Sequence, residues 1–195
     1  MFLHNYAEWQ RAINISSPFL IGGSGTTANC VLTSLKGLNG DLSNKYLCGV
    51  NAPYGMFSYS NWGPAINRAL VFADSLSLRV GSGTTDVDPG DYKLDVDETS
   101  KFIQTVFNKN IGVSEDGHLT VTITWTGTNN TSSAVTIKEI GLVKILPMFV
   151  ASTIGQSQIG SIDYQNILIA RYILPDPVTI NPGDSGTLSA RIEMF

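Results

Sequence analysis

The chain has 195 residues, 43% of them hydrophobic and only 14% charged, with 12 Lys and Arg against 16 Asp and Glu and a formal net charge of −4. That length carries one large or two small domains with a core of their own. The scattered basic residues exclude a general nucleic-acid binder, which needs clustered Lys and Arg to displace counterions. A charged share well below the usual ~25% favours an assembly component, whose surface packs against neighbours, over a freely diffusing enzyme.

The opening "MFLHNYAEWQRAI" lacks the basic and apolar regions of a signal peptide, so a cytoplasmic site of synthesis is expected. No window approaches 18 uncharged apolar residues, so no membrane span is expected. Phe2, Tyr6, Trp9 and Ile13 recur at three- and four-residue spacing, predicting a short amphipathic helix that must dock on its own domain or on a neighbour. From Pro18 to Gly63 the chain is rich in Gly, Ser and Asn and reads as turns between very short strands. Tyr46, Tyr54, Phe57, Tyr59 and Trp62 punctuate it, as anchors to the core or a partner chain, or as a stacking platform for a ligand. Residues 1–63 are accordingly expected to be an arm and loop-rich segment for attachment or oligomer contacts, and 64–195 a β-sandwich module. Candidate interface residues are Phe2, Tyr6, Trp9, Tyr54, Phe57, Tyr59 and Trp62. Two cysteines, Cys30 and Cys48, do not make a disulfide framework and read as buried free thiols.

Strand signals dominate after Pro64. Leu76, Leu78 and Val80 alternate with Ser75, Ser77 and Arg79. Leu119, Val121, Ile123 and Trp125 alternate with Thr120, Thr122, Thr124 and Thr126, one face apolar and the other threonine. Asp116-Gly117 predicts a hairpin back to a strand around Phe102–Ile111. Asn129-Asn130 supplies the next turn, before "AVTIKEIGLVKI" and then "NILIARYIL", which is apolar enough to be central. A Pro-Gly-Asp turn precedes a last strand with Leu188, Ala190, Ile192 and Met194 on one face. The fold expected is mainly β, an antiparallel β-sandwich of jelly-roll-like type with a short N-terminal helix or arm.

Candidate chemistry is sparse. "GSGTT" occurs at Gly23–Thr27 and again at Gly81–Thr85, but neither copy is followed by the Gly-Lys-Ser/Thr of a phosphate cradle. Each instead reads as an exit from a strand where φ > 0 is needed. Asp86, Asp88, Asp91, Asp95, Asp97 and Glu98 crowd the next stretch, and an EF-hand register from Asp86 puts Gly90 at the third ligand position and fails. A non-EF-hand calcium site on Asp86, Asp88 and Asp91 stands as the minority metal reading against a solvated loop turning at Pro89-Gly90. His4 and His118 lie outside any Cys/His cluster with zinc spacing, and no "GxSxG" elbow supports a triad. Glu139, inside an apolar strand, reads as a hydrogen-bonded or rim-facing structural carboxylate rather than a catalytic one. Asn-x-Ser/Thr triplets at Asn14, Asn129 and Asn130 would matter only in a secretory pathway. No catalytic residue and no cofactor is assigned.

The order "VGSGTTDVDPGDYKL", a hairpin pair, "VTIKEIGLV", "ILIARYIL" and "PVTINPGDSGTL" resembles a recurrent module of tailed-bacteriophage virion proteins. The resemblance covers about Leu76 to Phe195; each motif is weak alone and their order is informative. It implies a non-enzymatic structural role on a virion, first as a head-associated auxiliary or decoration protein, alternatively as a tail, neck or fibre-attachment component. The implied partners are copies of itself and major capsid or tail subunits, without nucleic acid or membrane. A calcium- or carbohydrate-binding β-sandwich module is the reading of another class.

Overall fold

The computed structural model describes residues 2–14, 17–21, 26–41, 45–48, 76–151 and 159–194, not every side chain among them. One helix, α1 (His4–Asn14), precedes nine strands. These are β1 (Ser17–Ile21), β2 (Thr26–Thr33), β3 (Lys45–Cys48), β4 (Leu76–Gly81), β5 (Phe102–Val113), β6 (Leu119–Asn129), β7 (Val135–Ala151), β8 (Ile159–Ile180) and β9 (Ser185–Met194). The protein is mainly β, two antiparallel sheets in a sandwich-like arrangement.

The period-two sequences become strands for the reason their patterning gives. In β6, Val121, Ile123 and Trp125 are buried while the intervening Thr122, Thr124 and Thr126 stay partly exposed, so each pleat puts alternate residues on the core face. β4 repeats the pattern with Leu76, Leu78 and Val80 inward. Asp116-Gly117 closes the β5–β6 hairpin, with Gly117 at φ +83° and its N–H donating to the Ser114 carbonyl at 3.0 Å. At the turn before β9, Gly183 takes φ +77° and donates to the Asn129 carbonyl at 2.9 Å.

Chain neighbours do not all pair. β7 pairs with β8 along its length; β4 lies on its other edge opposite Glu139–Lys144, and β3 touches that edge farther along through Tyr46 opposite Phe149. β2 and β1 continue the sheet beyond β3. β5, β6 and β9 form the second sheet. The link after Asn129 therefore crosses between sheets, and buried Asn129 fastens it by donating to the carbonyls of Ser133 (2.8 Å) and Ile180 (2.9 Å). Residues before 49 thus contribute strands to the same main sheet as the module.

The main core lies between the sheets, where Trp125 meets Phe102 edge-on with ring centroids 5.5 Å apart. A second cluster of Leu3, Val143 and Leu168, flanked by Leu38 and Val87, covers the opposite face of β7 and β8. Around Ile167–Ile169, β8 is covered on both faces, which explains the unbroken apolar run "ILIA". Phe2 bridges to Ala170 on the edge of β8 away from β7, and the Leu3 N–H donates to the Ile169 carbonyl at 3.0 Å. α1 then folds back on its own domain. Trp9 is fully enclosed in the main core and the Lys144 ammonium lies 5.3 Å from its ring centroid.

Candidate functional site

The polar centre of the fold forms where the acidic segment returns across the outer face of the main sheet. After Gly81 the chain reverses: the Ser82 N–H donates to the Val96 carbonyl (3.0 Å) and the Glu98 N–H to the Val80 carbonyl (2.9 Å). Residues 82–97 form a strap over β7 and β8, with Leu94 buried against Gly141. A Cβ at Gly141 would come within 2.7 Å of Leu168 and 2.8 Å of Leu94, so a side chain there would displace the strap.

Glu139 is the hub. The bulge between Ile137 and Glu139 turns this residue of β7 toward the strap, where it is fully buried. Its Oε1 accepts from the backbone N–H groups of Gly83 (3.1 Å) and Val96 (2.9 Å). Its Oε2 accepts from the Asp95 N–H (3.2 Å) and from Arg171 Nε at 2.7 Å. Four donors on one carboxylate satisfy the lone pairs that burial would otherwise leave costly. Gly81 and Gly83 make this possible by close approach: a Cβ at Gly83 would sit 2.4 Å from Glu139 Oε1 and 2.4 Å from the Asp95 Cβ. The sequence expectation of φ > 0 at these glycines is corrected, since among the described glycines the positive φ values fall at Gly40, Gly117 and Gly183.

Arg171, on β8 opposite Gly141, completes the arrangement. Its Nη1 pairs with Asp91 Oδ2 at 2.8 Å, while the guanidinium is almost wholly buried. Burial alone would lower its pKa, but Asp91 and Glu139 outweigh that and hold it above its ordinary value. Asp91 Oδ2 also accepts from the Asp88 N–H (3.0 Å), and Asp88 Oδ1 accepts from the Gly90 N–H (2.7 Å), fixing the Pro89-Gly90 turn. The Pro89 carbonyl accepts from the His4 N–H at 2.8 Å, tying the turn to the start of α1.

The acidic segment is therefore not simply a solvated loop. Asp91 serves Arg171. Asp95 accepts from Thr85 Oγ1 at 2.8 Å, which with lesser help from Arg171 holds its carboxyl below the ordinary range. Asp97 pairs with Arg79 at 2.6 Å; partial burial raises its pKa, but hydrogen bonds from Thr99 and the Arg79 charge outweigh that and lower it. Glu98 pairs with Lys101 and accepts from Ser82 Oγ at 2.9 Å. Of the three acids in the calcium reading, Asp91 faces a guanidinium and Asp88 caps its own turn, while Asp86 is exposed. Among the described residues no group of three His, Cys, Asp or Glu side chains is arranged for a metal ion.

Other expected residues scatter. Leu94 enters a core, but Tyr92 stays half-buried, its ring 3.9 Å from the Lys36 ammonium. His4 begins α1 and His118 sits at the β5–β6 tip, so the two histidines share no site. Phe2 and Tyr6 are half-buried and stacked on each other at 4.1 Å, whereas Trp9 offers no surface to a partner. Tyr54, Phe57, Tyr59 and Trp62 lie outside the described residues, as do the glycines of the first "GSGTT". Cys30 and Cys48 stand opposite each other in the β2–β3 register, their side chains outside the description. Sequence reasoning missed Arg171; an arginine and a carboxylate in two otherwise apolar strands was the available signal, because each needs the other to be buried.

What this centre does chemically is hold. Every oxygen of Glu139 is occupied by donors from the chain itself, leaving no lone pair aimed at a reactant. Among the described residues no helix is long and apolar enough to cross a membrane. No protein-family model, no curated protein and no solved structure matches the chain.

Proposed function

We propose that the chain is a non-enzymatic structural subunit of a tailed-phage particle, made in the host bacterial cytoplasm and retained on the virion as a head-associated auxiliary or decoration protein. It acts by contact with copies of itself and with a capsid or tail subunit, and needs no cofactor. The observation that carries this reading is convergence. The four motifs of the phage-virion resemblance, "GSGTT", "DYKL", "EIGL" and "LIAR", come from three separate stretches of the sequence and meet at one place beneath the strap. Gly83 lies on Glu139, Leu94 and Leu168 both lie on Gly141, and Arg171 lies on both Glu139 and Asp91. Motifs that exist to lock a strap onto a sheet suit a module selected for shape and durability rather than turnover. Low charge and apolar side chains on the exposed strand β5 add support, because an assembled subunit keeps such surface from water.

Immunogold labelling of purified particles with antibody to this chain tests the proposal. Gold over the heads is the expected result. Gold confined to the tail, neck or fibres keeps the virion role and moves its location. Unlabelled particles from a lysate that contains the protein would sink the reading.

A further inference from the structure

Two unlike surfaces of the molecule complement each other. The first is strand β5, whose outer edge has no pairing partner among the described residues. Of the seven exposed large apolar side chains among the described residues, four, Ile103, Val106, Ile111 and Val113, lie on this one strand. Ile111 is 57% and Val113 70% exposed, next to the hairpin tip that carries exposed Glu115 and Asp116. Twelve residues long and carrying a single charge, Lys109, this edge has one bulge, between Gln104 and Val106, and beyond it runs in regular register from Val106 to Val113.

The second surface is on the far side of the same sheet, where the sandwich stays open between β8 and β9. A cleft of about 460 Å³ lies there, lined by Leu142, Tyr172, Leu174, Ala190, Ile192 and the charged Arg191. Beyond the single bridge of Phe2 to Ala170, the described residues supply no strand to the adjoining edge of β8, nor any to the outer edge of β9. That bridge places one extended residue against β8 at the margin of this cleft. A strand seated farther along would continue that contact.

We propose that the β5 edge and β5–β6 tip of one copy occupy the β8–β9 cleft of a second copy, giving a head-to-tail homo-oligomer. Apolar β5 side chains enter the apolar cleft, and the acids of the tip meet Arg191, so the charges are complementary. Because donor and acceptor are different surfaces, the interface is heterologous and closes into a ring when the rotation allows. This inference rests on the assembly role proposed above and names its surfaces.

Sedimentation of the purified chain over a concentration series, with two variants, tests it. Wild type is expected to associate. Val113→Asp, which breaks the donor, and Arg191→Glu, which breaks the acceptor, are each expected to weaken association about tenfold or more, with unchanged circular dichroism. Mixing them pairs the intact cleft of one with the intact β5 of the other, so a one-to-one dimer should appear. Combining Arg191→Glu with Glu115→Lys and Asp116→Lys in one chain should restore association. A strictly monomeric wild type, or a mixture that stays monomeric, overturns the inference. So does Arg191→Glu that still self-associates like wild type, the signature of symmetric β5-to-β5 pairing. None of these results bears on particle labelling, so the virion reading fails or stands separately.

Discussion

The strap over β7 and β8 and the β5–β6 hairpin use polar and apolar groups in opposite ways. In the strap, side chains that look made for solvent turn inward: Glu139, Arg171 and Asp91 pair with one another and bind four backbone N–H groups. In the hairpin, side chains that look made for a core stand outside, with Ile111 and Val113 exposed on an edge that no strand among the described residues pairs. The difference teaches that exposure cannot be read from residue type alone: a charged cluster closes on itself in one region, while apolar side chains stay exposed in the other.

The largest expected break in this contrast is Glu139→Ala. It strands a buried guanidinium and removes the acceptor of three backbone donors, so a loss of about 3–5 kcal/mol is expected in chemical denaturation. Val113→Asp, at the other pole, should leave stability within about 0.5 kcal/mol while reducing self-association. The contrast fails if the two variants lose similar stability. A sharper form pairs Glu139→Met with Arg171→Met. Replacing a buried ion pair by apolar residues is often neutral. Here recovery should be incomplete, because Gly83, Asp95 and Val96 still lose their acceptor. Full recovery in the double variant would show that the backbone bonds contribute little.

Gly83→Ala follows in size. Its added methyl would meet Glu139 Oε1 and the Asp95 Cβ, both at 2.4 Å, so the strap must lift; a loss of about 1–3 kcal/mol is expected from thermal melts.

A smaller effect is pH-dependent. The folded state holds the Asp97 carboxyl below its ordinary value, so it favours the charged form. The stabilisation is therefore present above the unfolded pKa of about 3.9 and is lost as pH falls through the lower folded value. Asp97→Asn should remove part of the acid-induced fall in Tm below about pH 4, modestly, since the Arg79 pair is a third exposed. An unchanged acid limb in the variant would remove Asp97 from the account.

The smallest effect is expected on the outer face of the second sheet, where Thr126 and Thr187 share a hydrogen bond at 2.9 Å in the open. Thr126→Val keeps the β-branched shape, and a change within about 0.5 kcal/mol is expected.

The sequence by itself determined what depends on near neighbours along the chain. Alternation in β4 and β6 named their inward residues because side-chain direction in a strand reverses at every step. Asp116-Gly117 and Pro-Gly-Asp marked turns because glycine alone enters φ > 0 without strain. The N-terminal helix was legible from its spacing, and the structural reading of Glu139 from the cost of leaving a carboxylate unpaired. Tertiary structure alone decided the rest. Glu139 meets Arg171 across 32 positions and Gly83 across 56, while Asp91 meets Arg171 across 80. No local period encodes such separations; only the order of strands in the sheet brings them together. For the same reason the acidic segment read as a solvated loop: its charges look exposed until β8 places a buried guanidinium beneath them.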